Sequence, residues 1–261
     1  MSNLSSATVY STLSGSLTES LALRRPPIAI SFADAMPKGV TNFAGRAPAG
    51  CRFWEDAANG AFGTSAVDHS LCAVGIYTHN LLPTPGYEVD LADALKVFQQ
   101  LGYVREADIA TIPVLQSQYR HVVYSPLAET PLTPDIVILF VDANQTLILS
   151  EATQQVENAN APAMGRPACA VVPQVMNTGR AALSLGCCGA RAYLDTLTDG
   201  MAIFTIPGAK LEAYTQRIEE LAKANAVLSK FHALRRREIA AGLTPTVGES
   251  LEALKTGSSA Q

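Results

Sequence analysis

Residues 135–141, DIVILFV, constrain the fold more than any other stretch of this chain. Behind one Asp stand six apolar side chains in a row, four of them β-branched. In an extended strand successive side chains face opposite ways. A run that is apolar on both sides therefore belongs in a sheet covered on both faces.

Further strands are expected at 28–32 (IAISF), from His121 (HVVYSPL), at 181–186 and at 201–206 (MAIFTI). Between them lie segments with helical spacing. Residues 4–22, 91–101 and 143–157 read as helices, and a long helix follows Pro207 to about Ala241. CRFWEDAANG reads as a short helix ended by Gly60, and Cys169 opens another to Asn177. Residues 61–90 read as irregular. Strands alternating with helices predict an α/β fold, with α+β left open: one domain over 1–243, a mixed sheet with helices packed on it, and long C-terminal helices. The tail at 244–261 is expected to be flexible.

Bulk properties exclude several function classes. The net charge is −4, so nothing attracts nucleic acid or an anionic membrane surface. No apolar run reaches 18 residues, and the first residues lack the charge and apolar stretch of a signal peptide. A cytoplasmic protein is expected. A charged fraction of 16% falls below the usual quarter and is the one hint of a homo-oligomer. GxGxxG after a strand, GxxxxGK[ST], HExxH and GxSxG are all absent.

The five cysteines carry the chemistry. In a reducing compartment, an odd number of cysteines fits a disulfide framework poorly. No CxxC pair gives a zinc-ribbon or ferredoxin spacing. Their shared context is more telling. Cys51 and Cys169 sit at expected helix starts, Cys72 in a loop before Gly75, and Cys187 after a strand. Functional side chains project from such junctions, and a helix N-terminus favours the thiolate.

CRFWEDAANG, DHSLCAVGIY, GRPACAVVP and GCCGARAYLDTLTDGMAIFTIPGAKLE resemble, in order, the blocks of the domain of unknown function 169 (DUF169) family. The resemblance runs from about residue 17 to residue 225. It aligns Cys51, Cys72 with Gly75, Cys169, and Cys187 with Gly189 and Arg191 to the family pattern. Two features depart from it. Gly200 stands where the family often has an acidic residue, and Cys188 is an added neighbour of Cys187.

The resemblance implies a Cys₄ centre at Cys51, Cys72, Cys169 and Cys187. Thiolates select zinc or iron–sulfur. Ligands scattered over 137 positions favour a [4Fe–4S]-like cluster, with zinc as the alternative. The expected function is an iron–sulfur enzyme acting on a small molecule, by reduction with an electron donor or by carbon–heteroatom cleavage such as carbon–sulfur cleavage. Two other readings are a redox or metal sensor and a metal-free enzyme with a Cys nucleophile. His69 is the expected proton-transfer residue. Arg191 is expected to orient the substrate, with Arg52 as the lesser candidate. Trp54 is expected in the core, and the run Arg235–Arg237 on a solvated helix face.

Overall fold

The chain's computed structural model describes residues 6–86 and 91–256. The run at 135–141 becomes strand β5, with both of its faces buried. Along the chain the strands are β1 (Ile28–Ala33), β2 (Thr41–Asn42), β3 (Phe62–Thr64), β4 (His121–Pro126), β5 (Ile136–Val141), β6 (Ala163–Met164), β7 (Ala182–Ser184) and β8 (Ala202–Pro207). They form one sheet in the order β2-β3-β4-β1-β5-β8-β7-β6. Its centre is antiparallel, with Ile28 opposite Pro126 on one side and Ile138 on the other. The outermost pairs, β2 with β3 and β6 with β7, are parallel. The expectation of a mixed sheet with packed helices holds.

The helices are α1 (Ser6–Leu21), α2 (Arg52–Asp56), α3 (Ala73–His79), α4 (Leu91–Gln100), α5 (Glu106–Ile109), α6 (Ala143–Glu157), α7 (Val171–Thr178), α8 (Leu211–Ala240) and α9 (Val247–Thr256). The alternation in β5 divides the core. Ile136, Ile138 and Phe140 point to the layer with Phe53, Trp54, Cys51 and Cys169. Val137, Leu139 and Val141 point to the layer with Leu17, Leu149 and Tyr214. The cysteines thus belong to one face of the sheet, while α1, α6 and α8 cover the other. Trp54 is fully buried, as its expected core role requires.

Two expected boundaries move. Residues 61–90, read as irregular, contain β3 and α3. Gly75, Thr78 and His79 are poor helix formers, and α3 closes on Asn80, a left-handed cap at φ 48°. The expected flexible tail contains α9. Thr246 and Glu249 hydrogen-bond each other's backbone N–H at its start, a capping box written in the sequence as TVGE. Ser250 is fully buried and donates to Glu238 Oε2 at 2.7 Å. Arg235, expected on a solvated face, donates to Ser250 Oγ at 3.0 Å and so ties α9 to α8. The expected frayed end at 257–261 lies outside the described residues. No helix among the described residues is long and apolar enough to cross a membrane.

Candidate metal centre

Four chain segments bring their cysteines to one cavity of about 390 Å³. Cys51 stands at the N-terminus of α2 and Cys72 at that of α3. Cys169 lies in the single 3₁₀ turn before α7, and Cys187 follows β7. All four line the cavity, and so does Cys188. α4, α5 and their connections add Leu95, Phe98, Val104 and Ile112, with Tyr103, Asp108 and Thr111, to the lining.

Burial and the neighbouring thiols shift the protonation of Cys51, Cys72 and Cys169. Cys51 feels Cys187 and Cys72; Cys72 feels Cys187; Cys169 feels Cys72, Cys187 and Cys51. That makes six pairs, every pair four groups can form, and Cys188 is in none of them. Burial, then Cys187 and Cys72, push the Cys51 thiol up to about 12. Burial first, and the other thiols after it, also raise Cys72 and Cys169. The expectation that helix N-termini would favour the thiolates is therefore corrected. Five-residue α2 cannot offset a desolvated thiol with like charges beside it.

Local sequence explains the close packing. Backbone amides of Gly50 and Gly75 donate to Cys72 and partly oppose its upward shift. A Cβ on Gly75 would stand 3.0 Å from Cys72 Sγ, so a larger residue there would press on the sulfur. Gly186, one residue before Cys187, has φ +94°, and a Cβ there would meet Leu197 Cδ1 at 2.8 Å.

Thiolates bind either zinc or an iron–sulfur cluster, and the cavity presents them from four segments. Tetrahedral zinc, with Zn–S of about 2.3 Å, holds its sulfurs about 3.8 Å apart around one point. Among the described residues no group of three His, Cys, Asp or Glu side chains is arranged to hold a metal ion. An iron–sulfur cluster binds each thiolate at its own iron, so its ligands stand further apart.

The other expected site residues lie elsewhere. His69 does not line the cavity. It is fully buried one layer behind Cys72, whose N–H donates to the His69 carbonyl at 2.7 Å. Thr64 Oγ1 lies 3.1 Å from His69 Nε2 and 3.3 Å from the Val122 carbonyl. Burial, then His79, hold His69 well below its ordinary range. Its ring packs tilted against Phe53, with centroids 4.6 Å apart, and its Nδ1 lies near Cys72 Sγ beside Gly50 and Gly75. His79 is equally buried.

Arg191 also stands away from the cavity wall. It lies on the single π-helical turn Gly189–Tyr193, one turn beyond Cys187, and its N–H donates to the Cys187 carbonyl at 3.0 Å. Its guanidinium donates to the carbonyls of Leu185 at 2.7 Å, Thr198 at 3.2 Å and Met201 at 2.6 Å. A guanidinium bound to three carbonyls is a strap for the Cys187 loop. Arg191→Lys, which cannot span three acceptors, should cost about 1–2 kcal/mol and speed proteolysis between 186 and 200. Unchanged cleavage would show that the strap carries no load. Arg52 is similarly occupied, with Asp56 at 3.0 Å and Glu55 at 3.4 Å.

The sequence profile of the family described as DUF169, uncharacterised ArCR, matches residues 16–217. The chain belongs to this family. Among curated proteins and among solved structures, no match was found. The matched span of this DUF169 chain includes all five cavity cysteines and ends within α8.

The expected set also lacked residues that line the cavity. Asp108 and Arg166 are its only charged lining residues among those described, and Tyr103 stands at its edge. Arg105, through side-chain and backbone hydrogen bonds, holds Asp108 well below the usual carboxylate range. The RExD pattern opening α5 could have flagged that pair. Arg166, inside GRP, carries no pattern that marks it.

Proposed function

We propose that this DUF169 protein is a cytoplasmic iron–sulfur enzyme acting on a small molecule in the cavity, with Cys51, Cys72, Cys169 and Cys187 as ligands of a [4Fe–4S]-like cluster. One observation carries the reading: four thiols from four distant segments line one cavity. Burial and mutual repulsion keep Cys51, Cys72 and Cys169 protonated in the absence of a cation. Iron would take the protons' place. When bound, the cluster supplies either an electron or, at an iron left without a protein ligand, a Lewis acid.

The chain's own residues set the conditions for that chemistry. Leu95, Phe98, Val104 and Ile112 exclude water from the wall facing the thiols. Gly50 and Gly75 give amide hydrogens to Cys72, and such donors tune a cluster's potential. Arg191 fixes the Cys187 loop. His69 supports the Cys72 turn from behind. Substrate reduction and carbon–heteroatom cleavage both suit such a cavity. A sensor would present exposed thiols with depressed pKa values, whereas Cys51 and Cys169 are buried and raised. A metal-free Cys nucleophile needs a His base beside it; His69 Nδ1 and Cys72 Sγ both flank Gly50 and Gly75, which makes that pair the second reading.

Anaerobic reconstitution with iron and sulfide tests the reading. The protein should gain a broad charge-transfer band near about 400 nm that bleaches on reduction by dithionite. A protein that stays colourless would overturn it.

A further inference from the structure

Arg166 differs from the other arginines around the site. Arg52 and Arg105 pair with carboxylates, and Arg191 is bound to carbonyls. Arg166 lines the cavity, is exposed at its rim, and makes no hydrogen bond or ion pair among the described residues. Asp108, which also lines the cavity, attracts Arg166 but hydrogen-bonds Arg105 at 2.7 Å. Among the described residues the cavity therefore offers a guanidinium fork with no hydrogen bond, beside the apolar side chains of Leu95, Phe98, Val104 and Ile112. Pro167 and Ala168 connect it to Cys169, so the fork stands on the segment that carries a thiol of the centre.

We infer that Arg166 is the substrate-anchoring residue and that the substrate is a small monocarboxylate with an apolar body. Resting on the reading of the cavity as a substrate site, this names the class of molecule it takes. A planar guanidinium matches a carboxylate through two parallel hydrogen bonds. A phosphate dianion would call for a second cation, and Asp108 at the same rim opposes it. With the carboxylate on Arg166, the apolar body lies along α4 and α5 and the remaining end faces the thiol wall. The cavity's few polar groups are thus placed to orient one charged end of a largely apolar ligand.

Calorimetric titration of the full chain with hexanoate, hexanamide and hexylamine tests the inference, before and after iron–sulfide reconstitution. Hexanoate should bind at least about 10-fold more tightly than hexanamide, and hexylamine should be the weakest. Arg166→Ala should remove the hexanoate preference, and Arg166→Lys should keep part of it. Equal affinities for hexanoate and hexanamide in the unaltered protein, binding of neither, or an intact preference in Arg166→Ala would each overturn it. The ligand comparison in the unaltered protein decides the matter even if the variants fail to fold. Iron content read on the same samples separates the two claims. Iron without a hexanoate preference removes only the Arg166 assignment; a preference lost in Arg166→Ala without iron removes only the cluster.

Discussion

Serine in place of Cys51, Cys72, Cys169 or Cys187 should lower iron retention at least about 10-fold on anaerobic gel filtration after reconstitution, while Cys188→Ser should retain iron like the unaltered protein. Each of the four thiols comes from a different segment, so no spare thiol in the same turn can replace it. The single exception by position is Cys188, adjacent to Cys187. Cys188 is exposed, however, and takes no part in the six thiol pairs. A serine hydroxyl is a harder and less acidic donor than a thiol, and iron–sulfur centres select thiolates. Burial and like charge raise Cys51, Cys72 and Cys169. Iron loading must therefore displace protons, and retention should strengthen as pH rises. Loss of iron from Cys188→Ser with retention in Cys187→Ser would move the ligand to Cys188 and reverse the alignment.

The second large effect concerns acid stability. Burial alone holds His79 at about 4, against an ordinary value of 6.5. Neither ring nitrogen has a hydrogen-bond partner among the described residues. A histidine lowered on folding stabilises the fold fully above its unfolded value. That contribution erodes as pH falls from about 6.5 and is spent below about 4. At 1.36 kcal/mol per pH unit, the span corresponds to about 3 kcal/mol. His69, also held below its ordinary range, adds in the same direction. His79→Leu should remove this contribution to acid sensitivity without leaving a new unpaired group, because the ring makes no hydrogen bond to lose. Urea denaturation at pH 7 and pH 4.5 measures it: the unaltered protein should lose more stability than the variant. Equal losses would mean that His79 is hydrated or charged in the folded state.

The legible part of the fold is the part where local pattern and burial agree. β5 is apolar on both faces because the sheet is covered on both, and that is visible in six consecutive residues. α6 announces itself through Asp142 and Gln145, which cap each other's backbone N–H. The edge strands β2 and β6 have only two residues each, and tertiary pairing alone defines them. α3 was hidden by Gly75 and Thr78. Yet those residues serve the site: Gly75 lets backbone approach Cys72, and Thr78 is buried beneath. α9 had a readable cap in Thr246 and Glu249 but looked like an ordinary polar tail.

The cysteines became a set through shared context at element ends and through the family resemblance. Spacing alone could not group them, because folding brings together segments as distant as 51 and 187. The roles of the charged residues were the least legible. Arg191 and Arg52 lie beside cysteines in sequence, which says nothing of whether the guanidinium is already bound. Arg166 has no hydrogen bond among the described residues because Asp108, its neighbour in space and not in sequence, is hydrogen-bonded to Arg105.

The central claim is the cluster, and the most direct measurement is the iron and acid-labile sulfide content of the chain purified without oxygen. About four of each per chain are expected. A chain that carries one zinc, or stays iron-free even after reconstitution, would contradict it.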